Sequence, residues 1–90
     1  MPNPIKKSHN IQIPPGTVML KHEEGAIVYR DGQQVAEYSE QRVRAAMLGD
    51  DQDLIALARE MVAAAVVADQ LSLDGLVIAL RDWRAVNYLA

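Results

Sequence analysis

The chain has 90 residues, half of them apolar, and a formal net charge of −3 from twelve acidic and nine basic residues. This length predicts one domain. The absence of cysteine excludes disulfides and thiolate metal sites, and the acidic balance argues against a general affinity for the phosphates of nucleic acid.

The longest uninterrupted apolar run, residues 61–68, is far shorter than the roughly 18–20 residues that cross a bilayer. The first sixteen residues also lack the apolar segment typical of a signal peptide. We therefore expect a cytoplasmic protein without a membrane partner.

Residues 1–16 contain all four prolines of the chain and show no clear periodicity. Proline fixes φ and favours extended or turn conformations. The pattern predicts an extended, proline-containing N-terminal arm over residues 1–16, followed by a single α+β domain over residues 17–90. The alternation of Ile11 and Ile13 leaves room for a short strand in the arm.

Residues 17–38 read as a β-meander, with strands near 17–21 and 26–30 and a two-residue loop at Asp31 and Gly32. An Asp-Gly pair accepts the positive φ angles of a tight hairpin. In the simplest register Val28 faces Val35 and Ile27 faces Ala36. The residues expected on the core side of the hairpin are then Ile27, Tyr29, Ala36 and Tyr38.

A helical period begins after residue 38. Ser39 is a favourable N-cap, Gly49 a favourable stop, and Asp50 or Asp51 can cap a central helix that extends to about Leu71. The residues of the first helix expected in the core are Val43, Ala46 and Met47. A last helix is predicted to start at Ser72 or Asp74 and to continue through Trp83. The predicted fold is α+β: a small antiparallel hairpin or three-stranded meander followed by three helices on one face of the sheet.

The two longer helices each carry apolar residues on two sides. At 100° per residue the core side of the central helix contains Leu54, Leu57, Ala58, Met61, Ala65 and Ala68. Alanine is also a good helix former on exposed faces, and the sheet could cover a second stripe. Because both helices show the pattern, we expect a homodimer, the commonest closed oligomer. The predicted interface residues are Ala56, Ala63, Val67, Ile78, Ala85, Tyr88 and Leu89.

Residues 67–83 have the apolar spacing of a degenerate helix-turn-helix, with Ser72 at the turn. The second helix of that unit would present Leu76 and Val77 where base readout needs polar groups. Nucleic-acid binding is therefore the alternative hypothesis. Its contact residues would be Lys6, Lys7, Arg42, Arg44, Arg81 and Arg84.

The remaining polar clusters are explained more simply by loops and helix caps than by a metal or catalytic site. His22, Glu23 and Glu24 lie in a predicted loop without enough converging ligands for a metal. The acids at 50, 51 and 53 lack the glycine of a calcium loop, and helix capping accounts for them. No catalytic, cofactor or metal site is predicted. The leading hypothesis is a non-catalytic protein-interaction module, such as a small accessory or inhibitory protein that binds a partner protein.

Overall fold

A computed structural model describes residues 8–66 and 69–89, which form an antiparallel sheet followed by three helices. The predicted α+β class is confirmed, with four strands in place of two or three. The sheet order follows the chain, β1-β2-β3-β4. The elements are β1 (Ser8–Ile13), β2 (Gly16–Lys21), β3 (Gly25–Arg30), β4 (Gln33–Tyr38), α1 (Glu40–Leu48), α2 (Asp51–Ala64) and α3 (Gln70–Asn87).

The additional strand lies in the segment that the sequence assigned to the N-terminal arm. Residues 8–13 pair with β2 in an unbroken antiparallel register, from Ser8 opposite Lys21 to Ile13 opposite Gly16. The side chains of Ile11 and Ile13 are buried, as the alternation of a half-buried strand requires. Part of the predicted arm is therefore a strand of the sheet, and residues 1–7 lie outside the described residues.

The β3–β4 hairpin has the predicted tight turn. Asp31 and Gly32 both have positive φ, 53° and 80°, and Arg30 pairs with Gln33 directly across the turn. Asp-Gly favours this turn because glycine, and to a lesser degree aspartate, tolerates the left-handed region.

The predicted register of that hairpin is wrong beyond its first two pairs. A bulge opposite Val28 and Tyr29 leaves Val35 unmatched, so that Val28 pairs with Ala36 and Ile27 with Glu37. A bulge inserts one residue and shifts every later partner. Its consequence is that β3 buries Ala26 and Val28, and not the predicted Ile27 and Tyr29, while β4 still directs Ala36 and Tyr38 against the core.

The first two helix starts are confirmed. The Ser39 hydroxyl accepts the Arg42 backbone N–H at 3.1 Å, and Gly49 ends α1. Asp50 caps α2 with a reciprocal pair, in which its carboxylate accepts the Asp53 N–H and the Asp53 carboxylate accepts the Asp50 N–H. Such a capping box satisfies backbone donors that have no partner within the helix.

The predicted boundary between the last two helices is wrong. α2 ends at Ala64, Val66 has a φ of 57°, and α3 begins at Gln70 with Asp69 as its N-cap. The Asp69 carboxylate accepts the Ser72 backbone N–H at 2.6 Å, which places Ser72 in the first turn of α3. The apolar run at residues 61–68 does not predict this break. Its residues keep the helical spacing past Ala64, where the backbone leaves the helix.

Acid is expected to weaken the start of α3. Hydrogen bonds from the Ser72 backbone and side chain lower the pKa of Asp69 below its usual value. A lowered pKa means that the cap contributes fully above the pKa of the unfolded carboxyl, about 3.9, and is lost as pH falls through the lower, folded value. The free energy of unfolding of Asp69→Asn should therefore fall less than that of the wild type between about pH 5 and pH 2.

Urea unfolding at a series of pH values would measure this difference. Asp82→Asn removes an exposed carboxylate from the same helix without touching the cap, so it is the matched control. An acid dependence of Asp69→Asn equal to that of the wild type would contradict a titrating cap.

The core lies between one face of the sheet and the helices. Val18, Leu20 and Val28 of the sheet join Leu57 and Leu80 of the helices in one buried cluster. The predicted core side of α2 is confirmed for Leu54, Leu57, Ala58, Met61 and Ala65, while Ala68 lies outside the described residues.

Candidate interaction surfaces

The outward side of α3 carries an uncovered apolar stripe. Leu71, Ile78 and Leu89 are 81%, 59% and 62% exposed, and Ala85 is also exposed. We define the α3 stripe as Leu71, Gly75, Ile78, Ala85 and Leu89. Spacings of four, three and seven residues put Leu71, Gly75, Ile78 and Ala85 on one side of α3, and Leu89 follows the C-cap residue Tyr88. The sheet does not cover this stripe.

Gly75 lies one turn after Leu71 in the α3 stripe, and no described residue packs against it. A Cβ added at Gly75 would meet no atom within 4 Å. Glycine in a helix interior costs about 1 kcal/mol relative to alanine. Because Gly75 has no side chain, the backbone of another helix can approach α3 closely at this position.

A second apolar surface adjoins Ile78, in the groove between α2 and α3. The groove has a volume of about 430 Å³ and includes Ile55, Leu73 and Val77. Arg59 and Arg81 also line it. Sequence reasoning missed Ile55 and Leu71, although Leu71 repeats the seven-residue spacing of Ile78 and Ala85.

The other predicted interface residues do not join the α3 stripe. Ala56 lies in a separate groove of about 260 Å³ with Arg42 and Ala45, between α1 and α2. Ala63 is exposed on α2, and Val67 lies outside the described residues. Ala56 is therefore separate from the α3 stripe.

Tyr88 packs within the chain. Its half-buried ring meets the His22 ring edge-on at 6.0 Å between centroids, and the Arg44 guanidinium lies 5.8 Å from its centroid. Burial and the nearby Glu40 raise the pKa of the phenol, while Arg44 opposes the shift. These contacts fasten the end of α3 to the loop after β2.

The arginines of the nucleic-acid hypothesis all have carboxylate partners. Arg42 pairs with Glu60 at 2.7 Å and Arg44 with Glu40 at 2.8 Å. Arg81 and Arg84 both face Asp51, at 2.6 and 3.7 Å, and the hydrogen bond from Arg81 lowers the pKa of that carboxyl. Lys6 and Lys7 lie outside the described residues.

The helix-turn-helix spacing has no matching turn. Residues 70–83 belong to α3 alone, so Ser72 does not separate two helices. Of the apolar positions that suggested the motif, Leu71 and Ile78 are exposed and Leu73 is half-buried, while Ala68 lies outside the described residues.

A third surface is the groove between β1 and α3. Ser8 and His9 form one wall of a groove of about 300 Å³, and Ala79, Val86 and Trp83 form the other. The His9 ring stacks on the Trp83 indole with 6.3 Å between centroids and 12° between planes. Asp82 and Asn87 also line the groove.

Within residues 8–66 and 69–89, no group of three or more histidines or carboxylates is arranged to hold a metal ion. In the same ranges, no helix combines the length and the apolar character that a membrane span requires. Comparison of the chain with protein-family models, with curated proteins and with solved structures finds no match.

Proposed function

We propose that this chain is a non-catalytic protein-interaction module that forms a homodimer through the α3 stripe. The observation that carries the proposal is the exposure of Leu71 and Ile78 on one side of an 18-residue helix, together with the exposed Leu89 just beyond its end. A helix that is apolar on both sides usually lies between two layers. The described residues supply only one of these layers, and a second copy would supply the other.

The dimension of α3 supports a helix–helix contact. A helix of 18 residues is about 27 Å long, and Gly75 in its second turn allows two backbones to approach closely. Ile55, in the groove beside Ile78, extends the apolar area onto α2. This extension brings the contact nearer to the 1,200–2,000 Å² or so that stable interfaces bury.

The charges beside the stripe suit a second copy of the same chain. Asp74 is exposed on α3, and Arg59 is exposed on α2. Arg59 forms no ion pair within residues 8–66 and 69–89. A two-fold contact repeats every interaction, so Arg59 of each copy can approach an acid of the other.

The test is the molar mass in solution of wild type and Ile78→Asp, measured by light scattering over a concentration series. Wild type is expected near twice 9.9 kDa, and Ile78→Asp near the monomer mass with unchanged helical circular dichroism. Leu48→Asp is the matched control, because Leu48 is 54% exposed at the end of α1, outside the α3 stripe. It should remain dimeric.

Gly75 gives a second arm to the same test. Gly75→Ala should stabilise the isolated helix by about 0.5–1 kcal/mol, whereas Gly75→Leu should raise the dimer dissociation constant because its side chain occupies the contact. A wild-type monomer at every concentration, or equal masses for wild type and Ile78→Asp, would overturn the proposed dimer.

Nucleic-acid binding is not favoured by a comparable observation. Arg42, Arg44, Arg81 and Arg84 already have carboxylate neighbours, and phosphate contacts would have to compete with them. A partner protein remains the better proposal for the surfaces that the dimer leaves open.

A further inference from the structure

The outer edge of β1 is an open sheet edge. Among the described residues β1 pairs with β2 only. In an antiparallel strand every second residue directs its N–H and C=O away from its neighbour. Such an edge can accept another extended chain as an additional strand.

The two edges of the sheet differ in their protection. β4 contains a bulge beside Val35 and the charged Glu37, two features that discourage strand addition. β1 has an unbroken register, and its sequence SHNIQI contains no Lys, Arg, Asp or Glu. The open edge at β1 is therefore the one that can receive a strand.

The groove between β1 and α3 lies where the side chains of an added strand would point. Ala79 and Val86 lie on the same flank of α3, and Val86 is exposed. The buried Trp83 lies on the α3 wall, and the His9 ring of the opposite wall stacks on its indole. A strand placed beside β1 would direct alternate side chains into this space, which suits an aliphatic residue.

The charge of the groove comes from Asp82. Its carboxylate is exposed at the groove, and within the described ranges it forms no ion pair or hydrogen bond. An incoming basic side chain would provide the missing opposite charge.

We propose that the β1–α3 groove binds an extended segment of a partner protein as a fifth strand of the sheet. One aliphatic side chain of the segment packs between Val86 and His9, and a Lys or Arg on the same face pairs with Asp82. This site goes beyond the proposed dimer, because it uses the flank of α3 that carries Ala79 and Val86 and leaves Ile78 free.

The probe is a library of random twelve-residue peptides displayed on phage and selected on the full, purified chain. Enriched peptides should alternate β-forming aliphatic residues with polar ones and contain a Lys or Arg. Binding of a synthetic enriched peptide should shift the amide resonances of residues 8–13 and the indole resonance of Trp83.

Asp82→Lys should raise the dissociation constant of that peptide by at least about threefold, as expected for one exposed ion pair. Selection on this variant should enrich peptides that contain Asp or Glu in place of Lys or Arg. Asp74→Lys makes the same change on another part of α3 and should leave the affinity unchanged. A substitution on this exposed position should not affect folding, and circular dichroism of both variants would establish that.

Three results would overturn the peptide site: no enriched peptide, equal effects of Asp82→Lys and Asp74→Lys, or resonance shifts that exclude residues 8–13. A wild-type dimer whose β1 amides exchange slowly, and whose mass is unchanged in Ile78→Asp, would assign the edge to a second copy and also overturn it. Ile78→Asp separates the two proposals, because the peptide site should persist in this variant even if the α3 dimer is lost or never formed.

Discussion

Gly25→Ala is expected to destabilise the fold by about 2–6 kcal/mol, the sum of backbone strain and a steric overlap of about 1–3 kcal/mol each. Gly25 opens β3 with a φ of 103°, which side chains rarely adopt. A Cβ there would overlap the Tyr38 carbonyl oxygen and lie 3.0 Å from the Ser39 carbonyl carbon. These atoms belong to the backbone, so they cannot move aside by a rotamer change.

Gly32→Ala is the matched control for that experiment. Gly32 also has a positive φ, 80°, but an added Cβ would meet nothing within 4 Å. Its substitution should cost only the strain, about 1 kcal/mol. Urea unfolding at one pH compares the two free energies, and equal losses for both variants would contradict the crowding at the β3–β4–α1 junction.

Leu57→Ala is expected to lower the free energy of unfolding by about 2–5 kcal/mol, through lost burial and the cavity left behind. Leu57 is 0% exposed on α2 and belongs to the core cluster shared by sheet and helices. A chain of this length is typically stable by only about 5–13 kcal/mol. The substitution therefore removes a large fraction of the total.

Leu48→Ala makes the same chemical change at a half-exposed position at the end of α1. Its effect should be within about 0.5 kcal/mol of zero, as is usual for surface substitutions. Thermal and urea unfolding of both variants would measure the difference. A loss in Leu57→Ala no larger than in Leu48→Ala would mean that the space between sheet and helices is not tightly filled.

Local signals in the sequence predicted the parts of the fold that depend on a few neighbouring residues. The Asp31-Gly32 turn and the caps at Ser39 and Asp50 each involve atoms within three or four residues of one another. Side-chain chemistry at such short range is readable from the sequence. The α+β order of strands and helices follows from the same signals.

The predictions were wrong where a regular sequence pattern continues past a point at which the backbone changes conformation. Hairpin alternation continues through Val35, but the bulge shifts the register by one residue and exchanges the faces of β3. Helical periodicity continues through Val66, but the chain leaves the helix there and Asp69 starts a new one. In both cases tertiary packing decides between conformations that the sequence pattern alone does not separate.

The candidate sites likewise contain some residues that the sequence predicted and others that it did not. The exposure of Ile78, Ala85 and Leu89 was expected from the helical wheel of α3, and the structure places all three at the surface. A wheel does not show which helices are neighbours, so it grouped Ala56 with them although Ala56 faces the α1–α2 groove. The groove between His9 and Val86 joins the start of the chain to its end, and no local pattern predicts such a contact.

The meander has a kinetic consequence. Every strand pairs with the strand next to it in sequence, across turns of two or three residues, so the sheet forms by closing short loops. Closing short loops costs little chain entropy, and chains dominated by such contacts fold quickly. The slow step should then be the docking of α3 onto β1, which brings together residues about seventy positions apart. β1, the edge strand, is thus the last strand of the sheet to gain its contacts with a helix. While a nascent chain still lacks α3, β1 is the strand with the fewest stabilising contacts.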